Sequence, residues 1–224
     1  MTGAPIVECV FGQRGGGKST LAAELVADRP KVLAFDPQGD YRGRGWVTAS
    51  TRKEVEGALI AAGRGSLRVA YSPDFRRADP IREGAWLADT GFIAQAGFPA
   101  VDPRPLTILY DEAHLAFPTE KARADALGPI RAAILQGRHA GIGLLFVTQR
   151  PSNLGTDARS QAAAVYCFGL MQQTDRKAIE EMHPAARAAL DGLSAFQFLK
   201  ISAEGVGVYE LKHRAGIVAV KPRK

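Results

Sequence analysis

Asparagine is almost missing from this 224-residue chain, with Asn153 its single example. Asn153 is followed by Leu154, Gly155 and Thr156, so an Asn-Lys-x-Asp base-reading motif cannot be written. The GTPase class falls away with it, although Asp36-Pro37-Gln38-Gly39 formally spells DxxG. Cysteine is nearly as scarce. Cys9 and Cys167 each sit inside an apolar run, which excludes a disulfide framework and a CxxC metal pair and predicts two buried structural thiols. The four histidines are scattered, none paired with another at ligand spacing, so a metal site made only of protein ligands is not expected. No apolar run approaches the roughly 18 residues of a membrane-spanning helix, and MTGAPIVECVFG lacks the basic start and apolar stretch of a secretory leader. The expectation is a cytoplasmic protein with no membrane span of its own. An LSGGQ-like transporter signature, internal repeats, low-complexity tracts and linkers are all missing too. One domain over residues 1–224 is the economical reading.

What is present is an ordinary globular composition, 46% hydrophobic and 23% charged. A formal charge of +6 supports polyanion binding only weakly. Short β-rich runs alternate with helical ones, the pattern of a parallel sheet with crossover helices. Strands are predicted at Ile6–Phe11, Lys31–Phe35, Trp46–Ala49, Leu67–Tyr71, Leu106–Tyr110, Ile142–Thr148 and Ala164–Leu170. Helices are predicted at Lys18–Asp28, Arg52–Ala62 with Thr51 as cap, Asp79–Ala96, Ala122–Gly137 broken at Pro129, and Asp175–Met182. Residues 195–221 read as two or three antiparallel strands turned at Gly205 and Gly216, a C-terminal β extension of the same sheet.

Gly12-Gln13-Arg14-Gly15-Gly16-Gly17-Lys18-Ser19 fits G-x-x-x-x-G-K-S without a mismatch and lies between an apolar strand and a helix. The glycines let successive backbone N–H groups turn toward a phosphate, at the positive end of the following helix. This Walker A segment, with Thr20 beside it, is expected to bind ATP. Lys18 would bridge the β- and γ-phosphates and Ser19 would bind Mg²⁺. Leu106 to Tyr110 is a buried-strand pattern closed by two acids, a Walker B arrangement. There Asp111 is expected in the Mg²⁺ shell and Glu112 beside the attacking water. Asp111-Glu112-Ala113-His114 also spells a DEAH box, and Gln136 to Gly141 faintly echoes a helicase Gly-Arg motif. Only about twenty residues separate the two, too few for two helicase lobes. The spelling is read as coincidence.

The apolar strand Gly141 to Val147 ends in Thr148-Gln149-Arg150-Pro151-Ser152, and this resembles the sensor strand of the HerA/FtsK superfamily of DNA-pumping ATPases. Gly137-Arg138-His139-Ala140-Gly141 resembles that family's Arg-Ala-Ala-Gly segment. Val32 to Tyr41, with Asp36-Pro37-Gln38-Gly39-Asp40-Tyr41, is similar to its second-strand signature Asp-Pro-His-Gly-Glu-Tyr. The resemblance covers roughly residues 5 to 182 in the correct order. It implies a RecA-like α/β P-loop fold of the ASCE class, with a central, mostly parallel sheet flanked by helices and antiparallel strands at the C-terminal edge. It also implies that Gln149 senses the γ-phosphate and that an arginine from a neighbouring subunit completes the site. Arg138 is the first candidate for that arginine, with Arg176 and Arg150 behind it.

A bare motor core of this size looks like the genome-packaging ATPases of tailless, internal-membrane icosahedral viruses. The expected partners are double-stranded DNA, copies of the same chain in a hexameric ring, and proteins of a capsid vertex. The expected location is the host cytoplasm or the virion. The alternatives are a phage-assembly or secretion ATPase of the zonula occludens toxin type acting on protein, or a cellular HerA/FtsK-type DNA pump. Tyr41 to Trp46 and Arg150 to Arg159 are the stretches expected to grip DNA, with Arg76-Arg77 and the tail 221–224 adding positive charge.

Overall fold

The computed structural model describes residues 5–43, 45–96, 105–119, 125–212 and 216–220. A ten-stranded sheet in the order β10-β9-β8-β7-β1-β6-β5-β2-β4-β3 forms the frame. Its strands are β1 (Val7–Phe11), β2 (Lys31–Phe35), β3 (Val47–Ala49), β4 (Leu67–Tyr71), β5 (Leu106–Tyr110), β6 (Ile142–Thr148), β7 (Ala164–Phe168), β8 (Gln197–Ser202), β9 (Gly205–Lys212) and β10 (Gly216–Ala219). Strands β7 through β3 in that order are mutually parallel, and β8, β9 and β10 continue the β7 edge antiparallel. The helices are α1 (Lys18–Leu25), α2 (Arg52–Ala62), α3 (Pro80–Ala96), α4 (Gly128–Gln136), α5 (Thr156–Ser160), α6 (Gln173–Met182) and α7 (Ala186–Asp191).

Alternation along the strands sorts the core into two layers. Cys9, Phe11, Leu33, Phe35, Ile108, Tyr110, Leu144, Phe146, Val165 and Cys167 point to the face that α2, α3, α4, α6 and α7 cover. Val10, Val32, Ala34, Leu109, Leu145, Val147, Tyr166 and Phe168 point to the other face, where α1 packs through Leu21 and Ala22. Both cysteines are free and fully buried, and burial raises both thiol pKa values. No described helix is long and apolar enough to cross a membrane.

Several boundaries differ from the sequence expectation for identifiable reasons. Helix α1 stops at Leu25 instead of Asp28 because Arg29 folds back, donating Nε–H to the Leu25 carbonyl at 3.1 Å, and Pro30 follows. Arg29 also pairs with the buried Glu8 on β1, whose other oxygen accepts from Tyr166 OH at 3.1 Å. Pro129 does not break a helix. It sits in the first turn of α4, where a missing N–H costs nothing, and Ala122 to Ala124 lie outside the described residues. The short helices α5 and α7 were not anticipated. Thr51 caps α2 as expected, in a full capping box: its Oγ1 accepts from Glu54 N–H at 3.3 Å, and Glu54 Oε2 accepts from Thr51 N–H at 3.0 Å.

Candidate nucleotide site

Strand order determines what meets at the carboxyl end of the sheet. Strand β6 lies between β1 and β5, with Phe11 opposite Thr148 and Tyr110 opposite Phe146. The loop after β1, the acids after β5 and the glutamine after β6 therefore emerge side by side, at the crevice where open α/β sheets bind ligands.

The loop after β1 is built on close approach. Gly12 has φ 155°, and a Cβ there would lie 2.6 Å from Phe168 Cβ. Gly17, at φ 102°, is the N-cap of α1 and contributes no side-chain cap. The first amides of α1 are thus left for an outside acceptor, as an anion site at a helix N-terminus requires. Gln13, Arg14 and Gly15 are exposed at the tip and Gly16 is half-buried. Lys18 is 8% exposed and donates Nζ–H to the Gln13 carbonyl at 3.2 Å. Burial lowers its pKa, and the charges of Glu112, Asp111 and Asp40 work against that shift. Thr20 is exposed on the next turn.

Four carboxylates face this lysine's end of the sheet. Asp111 is buried, and burial raises its pKa to about 7. Glu112, Asp40 and Asp36 push in the same direction, opposed by the Glu112 N–H that Asp111 Oδ1 accepts at 2.9 Å. Glu112 adopts φ 44°, the left-handed region that costs a non-glycine residue about 1 kcal/mol or more. Its Oε1 accepts side-chain amides from Gln149 at 2.9 Å and from Gln38 at 3.2 Å. Its Oε2 is buried with no hydrogen-bond donor. The closest partner of Oε2 is His114 Nδ1 at 3.6 Å, beyond hydrogen-bond reach. Burial lowers the His114 pKa, and Nδ1 meets Thr148 Oγ1 at 2.9 Å.

Asp36 is fully buried and shapes the loop after β2, its carboxylate accepting the N–H groups of Asp40 at 2.9 Å and Tyr41 at 3.2 Å. That turn brings Asp40 Oδ2 to within 3.1 Å of the Ser19 hydroxyl. Ser19 and Asp111 fit a divalent cation in one respect: Asp111 stands in a carboxylate cluster short of positive charge. No group of three or more His, Cys, Asp or Glu among the described residues could hold a metal unaided, so phosphate oxygens and water would supply the remaining ligands.

The structure thus gathers Gly12 to Ser19, Asp111, Glu112 and Gln149 into one site. It does not bring Arg138 there. Arg138 is exposed in the 3₁₀ turn Gly137–Ala140 that precedes β6, at the opposite end of the sheet, and has no ion pair with any described residue. The other two candidate arginines are engaged. Arg176 pairs with Asp191, and Arg150 Nε lies 3.1 Å from Asp175, an ion pair off the N–H axis. Asp175 is 2% exposed and also accepts from the Ser152 backbone at 3.0 Å and the Ser152 hydroxyl at 2.6 Å.

The stretches expected to grip DNA are correspondingly less free. Arg150 is neutralised at the start of its segment. Tyr41 is buried against Trp46 with ring centroids 5.2 Å apart, and Arg42 donates to Ser72 Oγ at 3.3 Å. Arg44 and the tail 221–224 lie outside the described residues, and Arg76 and Arg77 pair with Asp74. Gln38, Asp40, His114 and Asp175 carry no site role in the sequence reading. Asp40 and Gln38 stand inside the quoted second-strand signature, the one signal that could have found them.

Comparison with known proteins places this geometry. The family profile for zonular occludens toxin (Zot) matches residues 88–215, more than half of the chain. The chain belongs to the Zot family. The Zot-family chain is 30% identical over 77 residues to a probable helicase, MJ1565, of Methanocaldococcus jannaschii, a match spanning 34% of this chain and 15% of that protein. Among solved structures it is similar to the genome packaging NTPase B204 of Sulfolobus turreted icosahedral virus 2. In complex with ATP-gammaS that structure gives a TM-score of 0.70 at 18% identity over 91% of this chain and 96% of that one. VirB4 of Thermoanaerobacter pseudethanolicus gives a TM-score of 0.66 at 10% identity, over 96% of this chain and 89% of that one. The fold of this Zot-family chain is that of a HerA/FtsK-like P-loop ATPase.

Proposed function

We propose that the protein is an ATP-driven motor that translocates double-stranded DNA, in viral or prophage genome packaging. The observation that carries this reading is the 2.9 Å contact between Gln149 and Glu112, which joins the strand-tip glutamine to the acid beside the P-loop. The likeness in fold to a genome packaging NTPase supports DNA as the client.

In this reading the amides of Gly15 to Lys18 and the Lys18 ammonium hold the phosphates of ATP. Ser19 and Asp111 would hold Mg²⁺, which neutralises charge on the phosphates when bound. Glu112 takes the proton of the attacking water, and Gln149 changes partner with the γ-phosphate. A transferring phosphoryl group spreads negative charge, and an arginine finger is worth roughly 10³–10⁵ in rate. Arg138 is the one of the three candidates without an ion pair among the described residues, and its place at the far end of the sheet from its own P-loop suits donation to a neighbouring subunit. Hydrolysis is then tied to ring assembly, with a hexamer the expected form, proteins of a capsid vertex as further partners, and host cytoplasm or virion as location.

A second reading is favoured by the family match itself: a phage-assembly or secretion ATPase whose client is a protein. Mg²⁺-dependent turnover is to be measured across protein concentration, with and without duplex DNA and with a candidate coat protein. The motor reading expects turnover to rise with duplex DNA and with concentration. Indifference to DNA with stimulation by coat protein selects the second reading. Equal turnover under all conditions from a strict monomer removes both.

A further inference from the structure

Glu112 is held by one oxygen only. Oε1 receives the Gln149 amide at 2.9 Å and the Gln38 amide at 3.2 Å. A carboxylate oxygen offers two lone-pair sites, so Oε1 is filled. Oε2 is closed off, buried and without a donor. In this arrangement neither oxygen can take a proton from water.

Gln149 follows β6, and its side chain makes no other hydrogen bond among the described residues. Gln38 stands in a loop tied on both sides. Asp36 N–H donates to the Tyr71 carbonyl at 2.9 Å, and the Ser72 hydroxyl donates to the Asp36 carbonyl at 2.6 Å. The Asp36 carboxylate holds the N–H groups of Asp40 and Tyr41, and Asp40 is bonded to Ser19 at the P-loop. The Gln38 side chain likewise makes no other hydrogen bond among the described residues, but its loop is held in place, and under the proposed function it is Gln149 that changes partner with the γ-phosphate.

We propose that Gln38 is a positioning residue for Glu112: its amide keeps one lone pair of Oε1 occupied and turns the other toward water once Gln149 departs. The inference rests on the reading of Glu112 as the base. With Gln149 gone, a water O–H proton passes to the vacated lone pair of Oε1 as the water oxygen bonds to the γ-phosphorus. The bond from that phosphorus to the β,γ-bridging oxygen breaks, and the oxygen leaves on ADP. Gln38 N–H stays on the second lone pair throughout and fixes the direction of the first.

Gln38 is itself exposed, so replacing it leaves the core intact. The test measures Mg-ATP turnover and ATPγS affinity in Q38L, Q38M, Q38E, Q38H and E112Q, with thermal midpoints to verify folding. Q38L and Q38M lack the N–H and are expected to lose about tenfold or more in kcat, the scale of a hydrogen bond to a charged group, with ATPγS affinity within about threefold. Q38E, an acceptor facing an acceptor, should fall at least as far. Q38H supplies an N–H of similar reach and should recover most of the rate. Q38L and Q38M at or above the wild-type rate, with E112Q inactive, overturn the role of Gln38 while the base assignment stands. Q38H as slow as Q38L overturns it as well, because donation is then not what matters. Hydrolysis by E112Q at the wild-type rate removes the base assignment itself.

Discussion

Replacing Asp111 with Asn should stabilise the nucleotide-free protein while abolishing its chemistry. Asp111 is 3% exposed and crowded by Glu112, Asp40 and Asp36, which with burial raises its pKa from 3.8 to about 7. The native state therefore holds this proton more tightly than the unfolded chain does. Stability is full near pH 4, is lost as pH rises through the window from 3.8 to about 7, and stays low above it. That gap corresponds to an upper bound of about 4 kcal/mol at alkaline pH, which relaxation and water entry reduce to about 1–3 kcal/mol. Asn keeps the oxygen that accepts Glu112 N–H and loses the charge. For a chain of this size about 1–3 kcal/mol amounts to roughly 3–10 °C in Tm. Thermal unfolding of wild type and D111N between pH 4 and 8.5 should give curves that nearly meet at the acid end, separate through the window from 3.8 to about 7 and keep a constant gap above it, with D111N higher. Added Mg²⁺ and ATPγS should stabilise wild type more than D111N and close the gap. If D111N melts below wild type at pH 8, or the two curves run parallel, the carboxylate-crowding argument is wrong.

Two further outcomes follow from packing. Gly155 has an ordinary φ, but a Cβ there would lie 2.4 Å from the Phe117 ring, which is 1% exposed. Gly155→Ala should cost about 1–3 kcal/mol by overpacking, visible as a lowered urea midpoint, and an unchanged midpoint would show that the ring moves freely. Asp175→Ala removes the partner of Arg150 and of two Ser152 donors, and should cost about 1–3 kcal/mol, visible as a lowered urea midpoint. Asp175→Asn retains an acceptor for Ser152 and should lose less. Equal losses in the two variants would mean that the hydrogen bonds from Ser152 contribute nothing and that the charge of Asp175 carries the whole effect.

What the sequence disclosed was what lies close together in it. The P-loop reads from eight consecutive residues between an apolar strand and a helix, and Asp111 and Glu112 read from the apolar run they terminate. Gln149 is legible for the same reason, as the tip of β6, although the strand order that puts it beside Glu112 is not written locally. The features that escaped are long-range. Arg29 ends α1 by turning back on Leu25 and Glu8, Asp40 reaches Ser19 across a turn built by Asp36, and Asp175 holds Arg150 from another helix. Each depends on a contact between elements, and single-residue propensity carries none of that information. Arg150 shows the consequence: its position after the sensor strand suggested a free cation, and a buried carboxylate twenty-odd residues on takes up the charge. Pro129 was misread for a local reason, since the same ring that breaks a helix interior suits its first turn.

The central claim is that ATP lies between Lys18 and the Asp111/Glu112 strand end, with Glu112 accepting the proton of the attacking water. Single-turnover hydrolysis of Mg-ATP by Glu112→Gln, measured beside equilibrium ATP binding by the same preparation, tests it most directly. The account predicts affinity within a few-fold of wild type and hydrolysis slowed by about a hundredfold or more. Hydrolysis at the wild-type rate with binding intact would contradict it.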